Sequence, residues 1–104
     1  MLKRVLGTKD ILPDEASIWQ EMERRSAAIF SLYGYKELRT PVIEDISLFN
    51  RSLGDSTEIV QKQMFEIQRD KDTYVLRPEA TAAIVRAYLE NSLDKKEDFS
   101  KLYY

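Results

Sequence analysis

With 104 residues, 43% apolar and 33% charged, the chain is one domain or part of one, and globular rather than disordered. Its formal net charge of −2 argues against a basic module built around phosphate contacts, and the absence of Cys and His excludes disulfides, thiol catalysis, histidine general bases and His/Cys zinc sites. No run of about 18 apolar residues is present to span a membrane, Met1 to Leu6 lacks the apolar core of a secretory signal, and a chain without Cys is compatible with the cytoplasm.

Met1 to Pro13 reads as a loop or short extended arm. Asp14 is a good N-cap, with Glu15 in the first turn. Ile18, Trp19, Met22, Ile29, Phe30 and Tyr33 recur on one side at helical spacing, which predicts a helix over Glu15–Tyr33. Gly34 is its natural stop. Tyr35 to Ile43 has a β-branched cluster and predicts a strand, in which Pro41 marks an edge, a bend or a contact with another chain. Asp45 or Ser47 starts a short helix running to Leu53, with Gly54 as its end, and a further short helix begins at Ser56 or Thr57.

Met64–Ile67 and Tyr74–Leu76 flank the charged stretch Gln68–Asp72, which predicts a hairpin with a solvated turn. Beyond it, Ala80, Ile84, Val85, Ala87, Tyr88 and Leu89 form the apolar face of a helix ending near Asn91. Residues 93–100 read as a solvated loop, and Lys101–Tyr104 has strand character. The order is helix, strand, helical connection, hairpin, helix, strand. It predicts an α+β fold: an antiparallel sheet flanked by helices.

The most informative stretch is Thr73 to Asn91. Pro78 disfavours the α region at Arg77 and ends the strand there. Glu79 and Thr81 then sit near a helix start, beside unpaired backbone N–H groups. Two readings are open on spacing alone. Glu79 favours the positive end of the helix dipole while Thr81 caps it; or the carboxylate and hydroxyl together hold a ligand ammonium.

The order of these signals resembles the amino-terminal part of a histidyl-tRNA synthetase, a class II aminoacyl-tRNA synthetase. Gly7-Thr-Lys-Asp-Ile-Leu-Pro13 is similar to that family's entry segment. The first helix with Tyr33-Gly-Tyr-Lys-Glu-Leu-Arg-Thr-Pro-Val-Ile43 looks like class II motif 1, over about residues 20–43. Leu48-Phe49, Ser52-Leu-Gly54 and Glu58-Ile-Val60 are similar to the connecting region. Leu76-Arg-Pro-Glu-Ala-Thr-Ala82 looks like the histidine-binding loop, and Lys101-Leu-Tyr-Tyr104 like the strand that feeds motif 2. Two positions depart from the family: Ala80 stands where it usually has Gly, and Leu6 where it commonly has Arg. An Ala at position 80 is strained if the backbone there needs a positive φ, and harmless otherwise.

The resemblance implies a parent enzyme that activates histidine with ATP and Mg²⁺, forming histidyl-adenylate and pyrophosphate, and then charges tRNA(His). It implies that Glu79, Ala80 and Thr81 bind histidine, with Glu79 and Thr81 accepting from its α-ammonium to orient the substrate. It places Arg39 and Pro41 in a homodimer interface and the parent in the cytoplasm. No residue of the chain is expected to transfer a proton or hold a metal. Motif 2, motif 3 and the anticodon-binding domain are expected beyond Tyr104, so residues 1–104 alone, an N-terminal fragment of the catalytic domain, are expected to hold no ATP or Mg²⁺ and to form no adenylate. The alternative is a non-catalytic, synthetase-like regulatory subunit of an ATP phosphoribosyltransferase. A third reading is a dimerisation module indifferent to histidine and ATP.

Overall fold

The computed structural model describes residues 1–53, 64–96 and 101–104, and divides into two compact units, Met1–Tyr35 and Lys36–Tyr104. The expected features at Gly54, at residues 56–60 and at residues 97–100 lie outside the described residues.

In the first unit, the arm turns at Val5–Thr8, where the Thr8 N–H and Oγ1 both donate to the Val5 carbonyl and Gly7 takes φ +87°. Helix α1 spans Pro13–Leu32. It begins before the expected Asp14 cap: Leu12 holds the cap position with no side-chain hydrogen bond. Pro13 explains the earlier start, because its fixed φ suits the first helical position and its missing N–H would be unpaired there anyway. Asp14 and Glu15 fall in the first turn, where their charge favours the helix dipole. The helix stops where the sequence says. Gly34 has φ +78°, its N–H donates to Ser31 O, and the Tyr35 N–H reaches back to Phe30 O at 2.9 Å. The Phe30 and Tyr35 rings, 5.8 Å apart, close the motif. No residue of α1 is buried.

The second unit is built on β1 (Lys36–Glu37), β2 (Ile43–Asp45), α2 (Ile46–Leu53), β3 (Glu66–Arg69), β4 (Asp72–Leu76), α3 (Thr81–Glu90), a 3₁₀ turn (Leu93–Lys95) and β5 (Leu102–Tyr103). The architecture is α+β. Strands β2, β4 and β3 form an antiparallel sheet with β4 in the middle. The single strand expected over Tyr35–Ile43 is instead two, β1 and β2, in different sheets, with Pro41 between them. Pro41 has no N–H to give a ladder, and the chain changes sheets around it. The expected antiparallel sheet is present, and beside it β5 pairs in parallel with β1, Lys36 opposite Leu102 and Glu37 opposite Tyr103. The hairpin turn is tighter than expected: Arg69 pairs with Asp72, leaving Asp70 and Lys71 at the tip, with Asp70 at φ 57°.

Asp45 starts α2 by accepting from the Ser47 N–H at 2.8 Å and the Ser47 hydroxyl at 2.6 Å. The core lies in this unit. Phe49 of α2 and Val75 of β4 are fully buried, Met64 is buried beside them, and Ile46, Leu48 and Ala82 pack against the three. On α3 the buried residues are Ala83 and Ala87, whereas Val85 and Leu89, expected on the apolar face, are exposed. Asn91 caps the end of α3 as expected, its Nδ2 donating to Ala87 O.

Candidate functional site

The segment after strand β4 delivers Arg77, Glu79 and Ala80 to the wall of a cleft of about 440 Å³ in the second unit. The corner is fixed from both sides. The Leu76 N–H donates to Phe65 O and the Arg77 N–H to Val42 O, at 3.0 and 2.9 Å. Arg77 Nη1 then reaches both the carbonyl and the Oγ1 of Thr40, at 3.2 Å each. The opposite wall is supplied by the exit of β1 and by the residue after β5. The Lys36 N–H donates to Lys101 O and the Leu38 N–H to Tyr103 O, which sets Tyr104 against the cleft. Glu37, Leu38, Arg39, Thr40, Arg77, Glu79, Ala80 and Tyr104 line the cleft.

Glu79 caps α3. Its Oε2 accepts from the Thr81 N–H at 2.6 Å and its Oε1 from the Ala82 N–H at 3.0 Å. The structural role weighed for this residue is therefore real, and it is the carboxylate of Glu79, not the hydroxyl of Thr81, that performs it. Capping does not exhaust the carboxylate. An ionised carboxylate has about four lone-pair sites, and the two N–H groups use two of them. The rest can accept from a ligand cation, and charge-assisted bonds of that kind are the stronger class.

Ala80 has φ −103° and ψ −27° in the right-handed region, so alanine carries no strain at this position. Thr81 does not itself line the cleft; its Oγ1 lies 2.8 Å from the phenol oxygen of Tyr104, which does. Arg39, expected at a subunit interface, forms part of the cleft wall and pairs with Glu37. Pro41 is not among the lining residues. Leu6, the other departure, is fully exposed.

The cleft thus gathers two carboxylates and two guanidinium groups around a partly apolar floor. Such a set suits a small zwitterion, one sign of charge for each end. Among the described residues no group of three or more carboxylates, Cys or His gathers to hold a metal ion, and no helix is long and apolar enough to cross a membrane. Glu37, Thr40, Arg77 and Tyr104 were not singled out from the sequence as site residues. Arg77 carried a signal, standing at the strand end beside Pro78; Tyr104 carried none, because its place depends on the parallel pairing of two segments far apart in the chain.

The family model for histidyl-tRNA synthetase matches residues 7–104. The histidine–tRNA ligase of Solibacter usitatus is 45% identical over 105 aligned residues, covering 100% of this chain and 25% of that protein. That of Staphylococcus carnosus is 46% identical over 107, with the same shares covered. Among solved structures, apo histidyl-tRNA synthetase from S. aureus superposes with a TM-score of 0.79 at 34% identity, covering 94% of this chain and 23% of its own. A protein described as an ATP phosphoribosyltransferase regulatory subunit/histidyl-tRNA synthetase, from Bacillus halodurans, follows at 0.71 and 26%, covering 91% and 24%. The chain spans about a quarter of the length of the curated relatives it matches.

Proposed function

From the premise that this chain belongs to the histidyl-tRNA synthetase family, we propose that it is the N-terminal part of the catalytic domain of a histidine–tRNA ligase, and that residues 76–82 hold the α-ammonium of histidine. The observation that carries the reading is the Glu79 carboxylate, fixed at the cleft by two backbone N–H groups with acceptor capacity to spare. In the ligase reaction a histidine carboxylate oxygen attacks the α-phosphorus of ATP. A new P–O bond forms, pyrophosphate leaves, and the adenylate then passes histidine to tRNA(His). Glu79 takes no proton in this scheme. It orients: with the ammonium held on Glu79 and Thr81, the substrate carboxylate is presented at a fixed angle, and orientation is where such a site gains rate.

ATP and Mg²⁺ belong to the proposed parent reaction. No step through Mg²⁺ is assigned to these residues, which gather no metal-ligating set. Arg39 and Pro41 are proposed to border a homodimer interface in a cytoplasmic enzyme. Replacing Pro41 with a bulky polar residue is expected to shift the full-length protein toward monomer in sedimentation; a full-strength dimer would remove Pro41 from the interface.

The decisive variant is Glu79→Gln in the full-length ligase. The amide keeps the shape, removes the charge, and keeps only one of the two cap hydrogen bonds, because its NH2 cannot accept. The KM for histidine is expected to rise about ten- to a hundredfold, the worth of a charged hydrogen bond, while the KM for ATP stays put. Equal loss for both substrates would leave Glu79 as a helix cap only. The Bacillus halodurans neighbour supports a second reading, a regulatory subunit of ATP phosphoribosyltransferase. The curated ligases, at 41–46% identity, favour the enzyme.

A further inference from the structure

One contact at the cleft is not used by the proposed reading. Thr81 Oγ1 and the Tyr104 phenol oxygen lie 2.8 Å apart, and either can be the donor. The two come from different elements: Thr81 opens α3, and Tyr104 follows β5, which is anchored to β1 by the Leu38 N–H on Tyr103 O at 3.0 Å. Tyr104 also shares the cleft wall with Glu79 and Ala80.

The direction of this hydrogen bond is decided by what Thr81 has to bind. A hydroxyl has one proton to donate and two lone pairs to accept with. An ammonium only donates. If Tyr104 donated to Thr81, one of the two lone pairs of Oγ1 would be consumed, and the ammonium would compete with the untethered Thr81 proton for the side that remains. If Thr81 donates to Tyr104, its proton is held away and both lone pairs of Oγ1 are released. The phenol proton then goes to water, which a residue 65% exposed can reach.

We infer that Tyr104 is a positioning residue for the amino end of the substrate: its phenol oxygen accepts the Thr81 proton and so turns Thr81 into an acceptor for the α-ammonium. The inference rests on the reading of Glu79 and Thr81 given above. Tyr104 touches no reacting atom in this account and acts through Thr81.

The test is Tyr104→Phe in the full-length ligase, a change that keeps the ring and removes only the oxygen. The KM for histidine is expected to rise about three- to tenfold, the range of one neutral hydrogen bond, with kcat falling less and the KM for ATP unchanged. In a Thr81→Ala background the same change should add less than about twofold, because the two residues act as one unit. A second readout is calorimetric binding of imidazolepropionate, histidine without its amino group: Tyr104→Phe should weaken histidine and leave this analogue unaffected. An unchanged histidine KM, a full effect persisting without the Thr81 hydroxyl, or equal loss on the analogue each overturns the inference. Glu79→Gln run alongside separates the two levels. A selective histidine defect there with a silent Tyr104→Phe removes only the role of Tyr104; no selective defect in either removes the histidine-site reading itself.

Discussion

Helices α1 and α3 carry the same kind of sequence pattern and meet different ends. Each has apolar residues at helical spacing and charged residues in other directions. In α3, Ala83 and Ala87 are buried and Ala82 packs against the cluster of Phe49, Met64 and Val75. In α1 nothing is buried; Ile18 is 63% and Met22 56% exposed. What defines α1 is local: Pro13 at its first position, Gly34 at its left-handed stop, and Glu21 paired with Arg24 and Arg25 along one face. What sets α3 apart is non-local: the cluster of Phe49, Met64 and Val75 that Ala82 packs against, and the ion pair from Arg86 to Glu44 of β2, beside the local Glu79 cap at its start. Periodicity announces an amphipathic helix. It does not say what covers the apolar face.

The sharpest way to break this comparison is to truncate one apolar side chain on each side of it. Phe49→Ala removes a ring that is 1% exposed and leaves a cavity among Met64, Val75 and their neighbours. It is expected to cost about 3–5 kcal/mol in denaturant-induced unfolding. Ile18→Ala, on the exposed stripe of α1, is expected to stay within about 0.5 kcal/mol. Equal losses would show that the α1 stripe is covered in solution, and the two helices would no longer differ in kind.

The same division explains what the sequence disclosed. Helix ends were legible because their causes are local: Gly34 needed only its own freedom at positive φ, and Asp45 only the two groups of Ser47. The two-residue error at the start of α1 is also local, since Pro13 takes the first helical position and puts Asp14 inside the first turn. The hairpin was legible from two apolar runs around a charged stretch. Sheet membership was not. Nothing in Tyr35–Ile43 says that its two ends pair with different partners, or that β1 lies parallel to β5. Glu79 stood out because a proline ends the strand before it. Arg77, Glu37 and Tyr104 join the cleft only once the strands are paired. Glu44 and Arg86 gave no sign at all, because a buried ion pair looks in sequence like two surface charges.

That ion pair supplies the finer test of the comparison. Glu44 on β2 is 7% exposed and accepts from Arg86 Nη2 at 2.9 Å, while Nη1 of the same guanidinium pairs with Glu90. The bond to Glu44 raises the Arg86 pKa further above its already high value, so this pair does not lose its positive partner at any working pH. Arg86→Met leaves the buried Glu44 carboxylate without its guanidinium partner and is expected to cost about 1–3 kcal/mol, between the values for exposed and for fully buried pairs because Arg86 retains some exposure. Adding Glu44→Leu should recover much of that loss, since the penalty is the stranded charge and not the missing attraction. On α1 the equivalent change is expected to matter little. Arg24, and then Arg25, hold the Glu21 carboxyl below its ordinary range, so their contribution is present above that range and is lost as pH falls through the lowered value. The Glu21 side chain is 45% exposed, and salt at about 1 M should screen the attraction. A neutral Arg86→Met would mean that α3 is held by alanine packing alone, and that charge does not distinguish the two helices.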